Sequence, residues 1–117
     1  MLRDLTISKI VEGIKKGKLS SYEIVKECIE EIKEDNSSSK PINAFITLME
    51  DYALEQAKYI DENRNKLDGK LLGVPIAIKD NINVKSFPTT CASKILEGFI
   101  SVEDATVVER IKENFGV

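Results

Sequence analysis

The chain has 117 residues, 20 acidic and 17 basic, with two Cys and neither His nor Trp. Without His, this chain alone builds no Ser-His-Asp or Cys-His catalytic group, and two Cys cannot close a four-ligand zinc site of the usual N/S type. A net charge of −3 with no basic cluster excludes the concentrated Lys/Arg face that phosphate-backbone binding needs.

The composition is that of one globular domain or a piece of one, with 42% hydrophobic residues, too apolar for a disordered chain. Cys28 and Cys91 lie far apart without framework spacing, which reads as reduced thiols of a cytoplasmic protein. No apolar run reaches membrane-spanning length. The N-terminal residues show no apolar region behind a basic start, so neither signal peptide nor membrane partner is expected.

Ile7, Ile10, Val11 and Ile14 form one apolar stripe at helical spacing, predicting a helix over about 7–16 that stops at Gly17. Ser20 and Glu23 are expected to form a capping box. It opens a second helix over about 21–35 with Ile24, Val25, Cys28, Ile29 and Ile32 on one face. Cys28 lies in that stripe, so core packing is its expected role. Asn36–Ser39 is a polar loop. A short strand is expected at about 44–48, and a helix over about 51–63 with Ala53, Ala57 and Ile60 inward. The apolar run around Val74–Lys79 reads as a strand buried on both faces, with Ile78 in the core. Ser93–Glu97 is a candidate short helix. Asp104 is expected to cap a last helix over about 105–114, with Val107, Val108, Ile111 and Phe115 inward and Gly116 as its stop. The fold class expected is α/β.

Lys79 is the candidate site residue. A strand that delivers a Lys at its carboxyl end, followed by Asp80 and Asn81, places it where ligands gather in open α/β sheets. A Lys removed from water loses its proton more readily and can serve as a base; a Lys reaching solvent at a strand end is the plainer alternative. Asp80 can pair with Lys79 or cap the following turn. Thr89, Thr90 and Ser93 are loop hydroxyls without an identifiable base. The six glycines are isolated, so no phosphate-binding fingerprint is present.

Three blocks of residues carry a family resemblance: Leu72–Ile82, Thr89–Lys94 and Asp104–Val108. Together they resemble the amidase signature family, in its order and spacing. The Cys91-Ala92 pair, where other amidases more often carry Gly, is most similar to the A-subunit branch of bacterial glutamyl-tRNA(Gln)/aspartyl-tRNA(Asn) amidotransferases. The resemblance implies a mixed β-sheet flanked by helices and a Ser–cis-Ser–Lys catalytic group whose Lys is Lys79. It implies glutamine as the substrate, hydrolysed through an acyl-enzyme to supply ammonia. It also implies B and C partner subunits, with ATP and Mg used by the partner, and misacylated tRNA as acceptor. No cofactor or metal site is expected in this chain.

The family's two serines belong to a Gly/Ser-rich stretch that is not among these 117 residues, and Ser86, Ser93 and Ser101 do not match it. The chain is therefore expected to be the N-terminal portion of a single amidase domain, inactive alone, with an apolar face left uncovered. Two alternatives stand beside this: a piece of a general amidase acting on small amides, and a non-catalytic fragment that binds another subunit.

Overall fold

In the computed structural model, which describes residues 2–117, Thr6 and Gly17 bracket the first helix, α1 (Ile7–Lys15). The Thr6 hydroxyl accepts from the Lys9 amide at 3.3 Å, satisfying one of the orphan donors of the first turn. Gly17 follows with φ +69°, a left-handed exit that costs glycine nothing. The stripe on α1 turns Ile10 and Ile14 into the core, and Ile14 is wholly buried. Burial of such a side chain contributes about 1.5–3 kcal/mol. Ile7 opens the same stripe but is 52% exposed.

Helix α2 (Ser21–Ser37) starts at the Ser20 cap, whose hydroxyl accepts from the Glu23 amide at 3.3 Å. A second cap comes from α3 (Glu50–Asn63). The Asp61 carboxylate accepts from the Ser21 amide at 2.7 Å, the Tyr22 amide at 2.9 Å and the Ser20 hydroxyl at 2.7 Å. A carboxylate at a helix N-terminus also meets the positive end of its dipole. Asp61→Ala is expected to cost about 2 kcal/mol, since it strips a charged partner from three donors; a denaturant midpoint equal to that of the unaltered chain would contradict this.

Helices α2 and α3 pack through Val25, Ile29 and Ala57. Ile24, next to Val25, and Ile60, one turn after Ala57, join Ile10, Ile14, Leu72 and Val74 in the larger cluster. Cys28 is half-buried beside this seam. Burial, then the Glu31 and Glu27 carboxylates, raise its thiol above the ordinary value, which suits packing rather than nucleophilic chemistry.

The expected α/β class is overturned. Among the described residues there is no strand, and the one isolated bridge joins Pro88 to Ile100. Residues 44–48 are irregular, with Asn43 at φ 54° and Phe45 and Ile46 exposed. Residues 74–79 are irregular too; besides turn bonds at their two ends, Val117 bonds beside them, its amide to the Val74 oxygen at 2.8 Å and its oxygen to the Ile76 amide at 2.6 Å. The physical reason is pairing: a strand exists only beside a second one. Leu72 and Val74 do reach the core, but Ala77 and Lys79 are exposed and Ile78 is half-buried, against the expectation of two covered faces.

The last helix, α4 (Thr106–Glu113), also departs from expectation. Its N-cap is Ala105, without a side-chain cap bond. Asp104 instead accepts from the Lys85 amide at 2.7 Å and pairs with Lys112 Nζ at 2.7 Å, tying the preceding loop to α4. Val108 is buried, whereas Val107 is 50% exposed. The left-handed residue at the helix exit is Phe115, with φ 59°, and not Gly116. Ile42, Ile46, Ile95 and Val102 are all well exposed. No helix among the described residues is long and apolar enough to cross a membrane.

Candidate active site

Gly73 is the pivot that sends the chain from the core toward the site. Its φ is +72°, and its carbonyl accepts from the buried Ser21 hydroxyl at 2.9 Å. From there residues 74–78 run outward to Lys79, and a turn closed by the Ile82 amide on the Lys79 oxygen at 3.0 Å reverses the chain. Lys79 therefore lies at the edge of an open groove of about 780 Å³. One wall is Ala44–Thr47 with Met49, the other is Ala77–Ile82, and Val84, Pro88, Cys91 and Ala92 complete it. The lining is mostly apolar, as small-molecule sites usually are.

Lys79 is exposed, and among the described residues its ammonium makes no ion pair or side-chain hydrogen bond. Asp80 neither pairs with it nor caps the next turn. Its carboxylate accepts from the Thr90 amide at 2.9 Å, the Ala92 amide at 3.1 Å and the Thr90 hydroxyl. The Asp80 main-chain oxygen takes the Cys91 amide at 2.8 Å. The Thr90 hydroxyl, then the Thr90 amide and the Ala92 amide, hold the Asp80 carboxyl below its ordinary value.

That direction fixes a pH dependence. A depressed carboxyl favours the folded loop at every pH above its ordinary value, and the benefit disappears as pH falls through the lowered one. The Thr90 and Ala92 amide resonances are expected to hold steady from neutral pH down through the usual carboxylate range and to move only below it. Movement centred at the usual Asp value would contradict the assignment.

The remaining hydroxyls divide as follows. Ser93 accepts from the Ile95 amide at 3.3 Å and starts the 3-10 turn Lys94–Leu96. Ser101 is buried and donates to the Glu103 oxygen at 2.7 Å. Thr89 is buried, and its hydroxyl has no partner among the described residues. Ser86 is exposed with φ 71°. None of them is hydrogen-bonded to Lys79, so the structure brings no nucleophile to the lysine. Asp80 is the residue that sequence reasoning undervalues; the Thr-Thr pair ten positions on is the available signal. Among the described residues no cluster of His, Cys, Asp or Glu could hold a metal ion.

Tyr52 of α3 meets Phe87 edge-on, with ring centroids 5.2 Å apart. That contact ties the loop carrying Pro88 and Cys91 to α3.

Comparison with known proteins places these features in a wider set. A family model described as Amidase matches residues 23–116. The A subunit of glutamyl-tRNA(Gln) amidotransferase from Thermoanaerobacter pseudethanolicus is 44% identical over 113 residues, covering 96% of this chain and 22% of that protein. The protein of the same name from Clostridium botulinum is 47% identical over 106 residues, covering 89% of this chain and 21% of its own length. Among solved structures, an inhibitor-bound vestigial complex described as revealing the origins of an s-triazine catabolic enzyme matches with a TM-score of 0.86. It is 28% identical, over 97% of this chain and 25% of that one. The chain thus spans about a fifth to a quarter of the length of these relatives.

Proposed function

The chain belongs to the amidase family, and from that premise we propose that it is part of the A subunit of a glutamyl-tRNA(Gln) amidotransferase, to which it contributes the base Lys79. The observation that carries this reading is the likeness to curated A subunits over nearly the whole chain. The open groove with an unpaired lysine at its edge supports it.

The chemistry follows from residue type. A hydroxyl nucleophile needs a neutral base within hydrogen-bond reach, and an unprotonated lysine serves where no His exists. Lys79 would take a proton through a bridging serine from the nucleophilic serine, which attacks the glutamine amide. An acyl-enzyme forms, the carbon–nitrogen bond breaks, and ammonia leaves. The two serines would come from the remaining length that relatives possess. That same polypeptide would cover the groove and exclude bulk water from it. The ammonia would pass to a B subunit braced by a C subunit, where ATP and Mg activate the Glu on misacylated tRNA.

The solved relative whose description names s-triazine catabolism keeps the general-amidase reading in view as the alternative. The test is substrate choice. The chain is mixed with the separately produced remainder of the Thermoanaerobacter A subunit. Ammonia is then assayed with glutamine and with a simple aliphatic amide. Release from glutamine with little from the simple amide is expected. The opposite preference would favour a general amidase, and release from neither would count against both.

A further inference from the structure

We propose that Asp80 is a positioning residue: its carboxylate is the anion on which the Thr90–Ala92 loop closes, and it thereby sets the lip of the groove beside Lys79. The role as a lip of an active site rests on the reading of Lys79 as a base; the loop geometry does not.

Three consecutive backbone amides converge on this one residue. Thr90 and Ala92 donate to the carboxylate at 2.9 and 3.1 Å, and Cys91 donates to the main-chain oxygen at 2.8 Å. The Thr90 hydroxyl adds a fourth donor. Successive amides arranged around a concavity form an anion receptor, and here the anion is supplied from within the chain. Cys91 and Ala92 both sit in the left-handed region, at φ 50° and 54°. Residues with a Cβ hold that conformation only where their surroundings enforce it. Burial does not enforce it, because both residues are exposed. Two sets of hydrogen bonds hold it: the turn bond from the Ser93 amide to the Thr90 oxygen at 2.8 Å, and the bonds to Asp80, which fix that turn against the Lys79 segment.

The placement matters for chemistry because Cys91 and Ala92 line the same groove as Lys79. Asp80 is covalently next to Lys79 and non-covalently bound to the loop, so it links the two in one rigid unit. Both carboxylate oxygens are committed to loop donors, and Lys79 is left without an ion pair to its neighbour. If Asp80 only added to global stability, its loss would loosen loop and core alike.

The test has two arms. On the 117-residue chain, amide hydrogen exchange is measured for Asp80→Asn, Thr90→Val and Thr90→Ser. Asn offers one acceptor oxygen where the carboxylate offers two, so Asp80→Asn is expected to speed exchange at Thr90, Cys91 and Ala92 by about tenfold or more. Thr90→Val should do the same, whereas Thr90→Ser, which keeps the hydroxyl, should match the unaltered chain. The core amides of Ile14 and Ile60 should not change. Unchanged loop exchange would overturn the proposal, and so would equal acceleration of loop and core. In the reconstituted enzyme, Asp80→Asn should lower kcat for glutamine by about tenfold with KM little altered, the signature of lost transition-state positioning. An unchanged kcat despite a loosened loop would overturn the positioning role. If the unaltered mixture shows no turnover, it is the lysine-base reading that fails, and the exchange arm decides the role of Asp80 by itself.

Discussion

Lys79→Ala is expected to abolish glutamine hydrolysis by the chain recombined with the remainder of an A subunit. General-base assistance accounts for roughly a hundredfold to ten-thousandfold in rate, and this chain has no His to take the role over. Lys79→Arg should fail as well, because a guanidinium keeps its proton at any working pH. Neither change should unfold the chain. Lys79 is exposed and without an ion pair among the described residues, and such surface substitutions fall within about 0.5 kcal/mol of neutral. The two measurements together are diagnostic: lost turnover with an unmoved unfolding midpoint assigns Lys79 to chemistry. Retained turnover in Lys79→Ala would remove it from the mechanism.

Gly73→Ala is expected to destabilise the fold by about 2–5 kcal/mol, combining left-handed backbone strain with overpacking. A Cβ at this position would lie 2.6 Å from Ile14 Cδ1, 2.8 Å from Ser21 Oγ and 2.9 Å from Ser21 Cβ. Two of these atoms belong to Ser21 at the start of α2, where Asp61 and the Gly73 carbonyl already hold its amide and hydroxyl. The Ile14 side chain is itself fully buried, so neither neighbour can give way freely. The consequence reaches the groove, since the segment that leads to Lys79 starts from this point. A stability within about 0.5 kcal/mol of the unaltered chain, the usual range for a surface substitution, would show that the contact is not built as described.

The helices are legible because their information is local. Ile10 and Ile14 sit at the spacing that faces one side of a helix, and Gly17 and Ser20 carry end signals readable within a few residues. Asp61 as the second cap of α2 is not legible, because its partners lie some 40 positions away and nothing in a helix-interior Asp announces them. The strands expected at 44–48 and 74–79 fail for a related reason. The apolar run of residues 71–78 correctly marks Leu72 and Val74 for the core, but burial and pairing are separate demands. A periodic or continuous apolar pattern reports the first and says nothing of whether a partner is present. The same gap explains Ile78, which lines the groove and is half-buried.

The site is legible in part. Lys79 stands out by its position after an apolar run, and the structure puts it at a groove edge. Neighbours in sequence suggest Asp80 as a partner for Lys79 or a turn cap, whereas its donors come from Thr90 and Ala92. The exit of α4 shows the same limit on a smaller scale. Gly116 is expected as the helix stop, yet the left-handed exit is taken one residue earlier, at Phe115. A Cβ on Gly116 would stand 2.7 Å from Ile111 and 3.1 Å from Ile76, so glycine is needed there for space and not for its backbone freedom.

The central claim is that this chain supplies the lysine of a glutamine-hydrolysing amidase and depends on further polypeptide for the serines. The most direct measurement is ammonia release from glutamine as the chain is titrated into the separately produced remainder of an A subunit. The account predicts no release from either component alone and activity that rises to a plateau at equal amounts of the two. Ammonia release by the purified 117-residue chain alone would contradict it, because no residue in the chain matches the family's nucleophile.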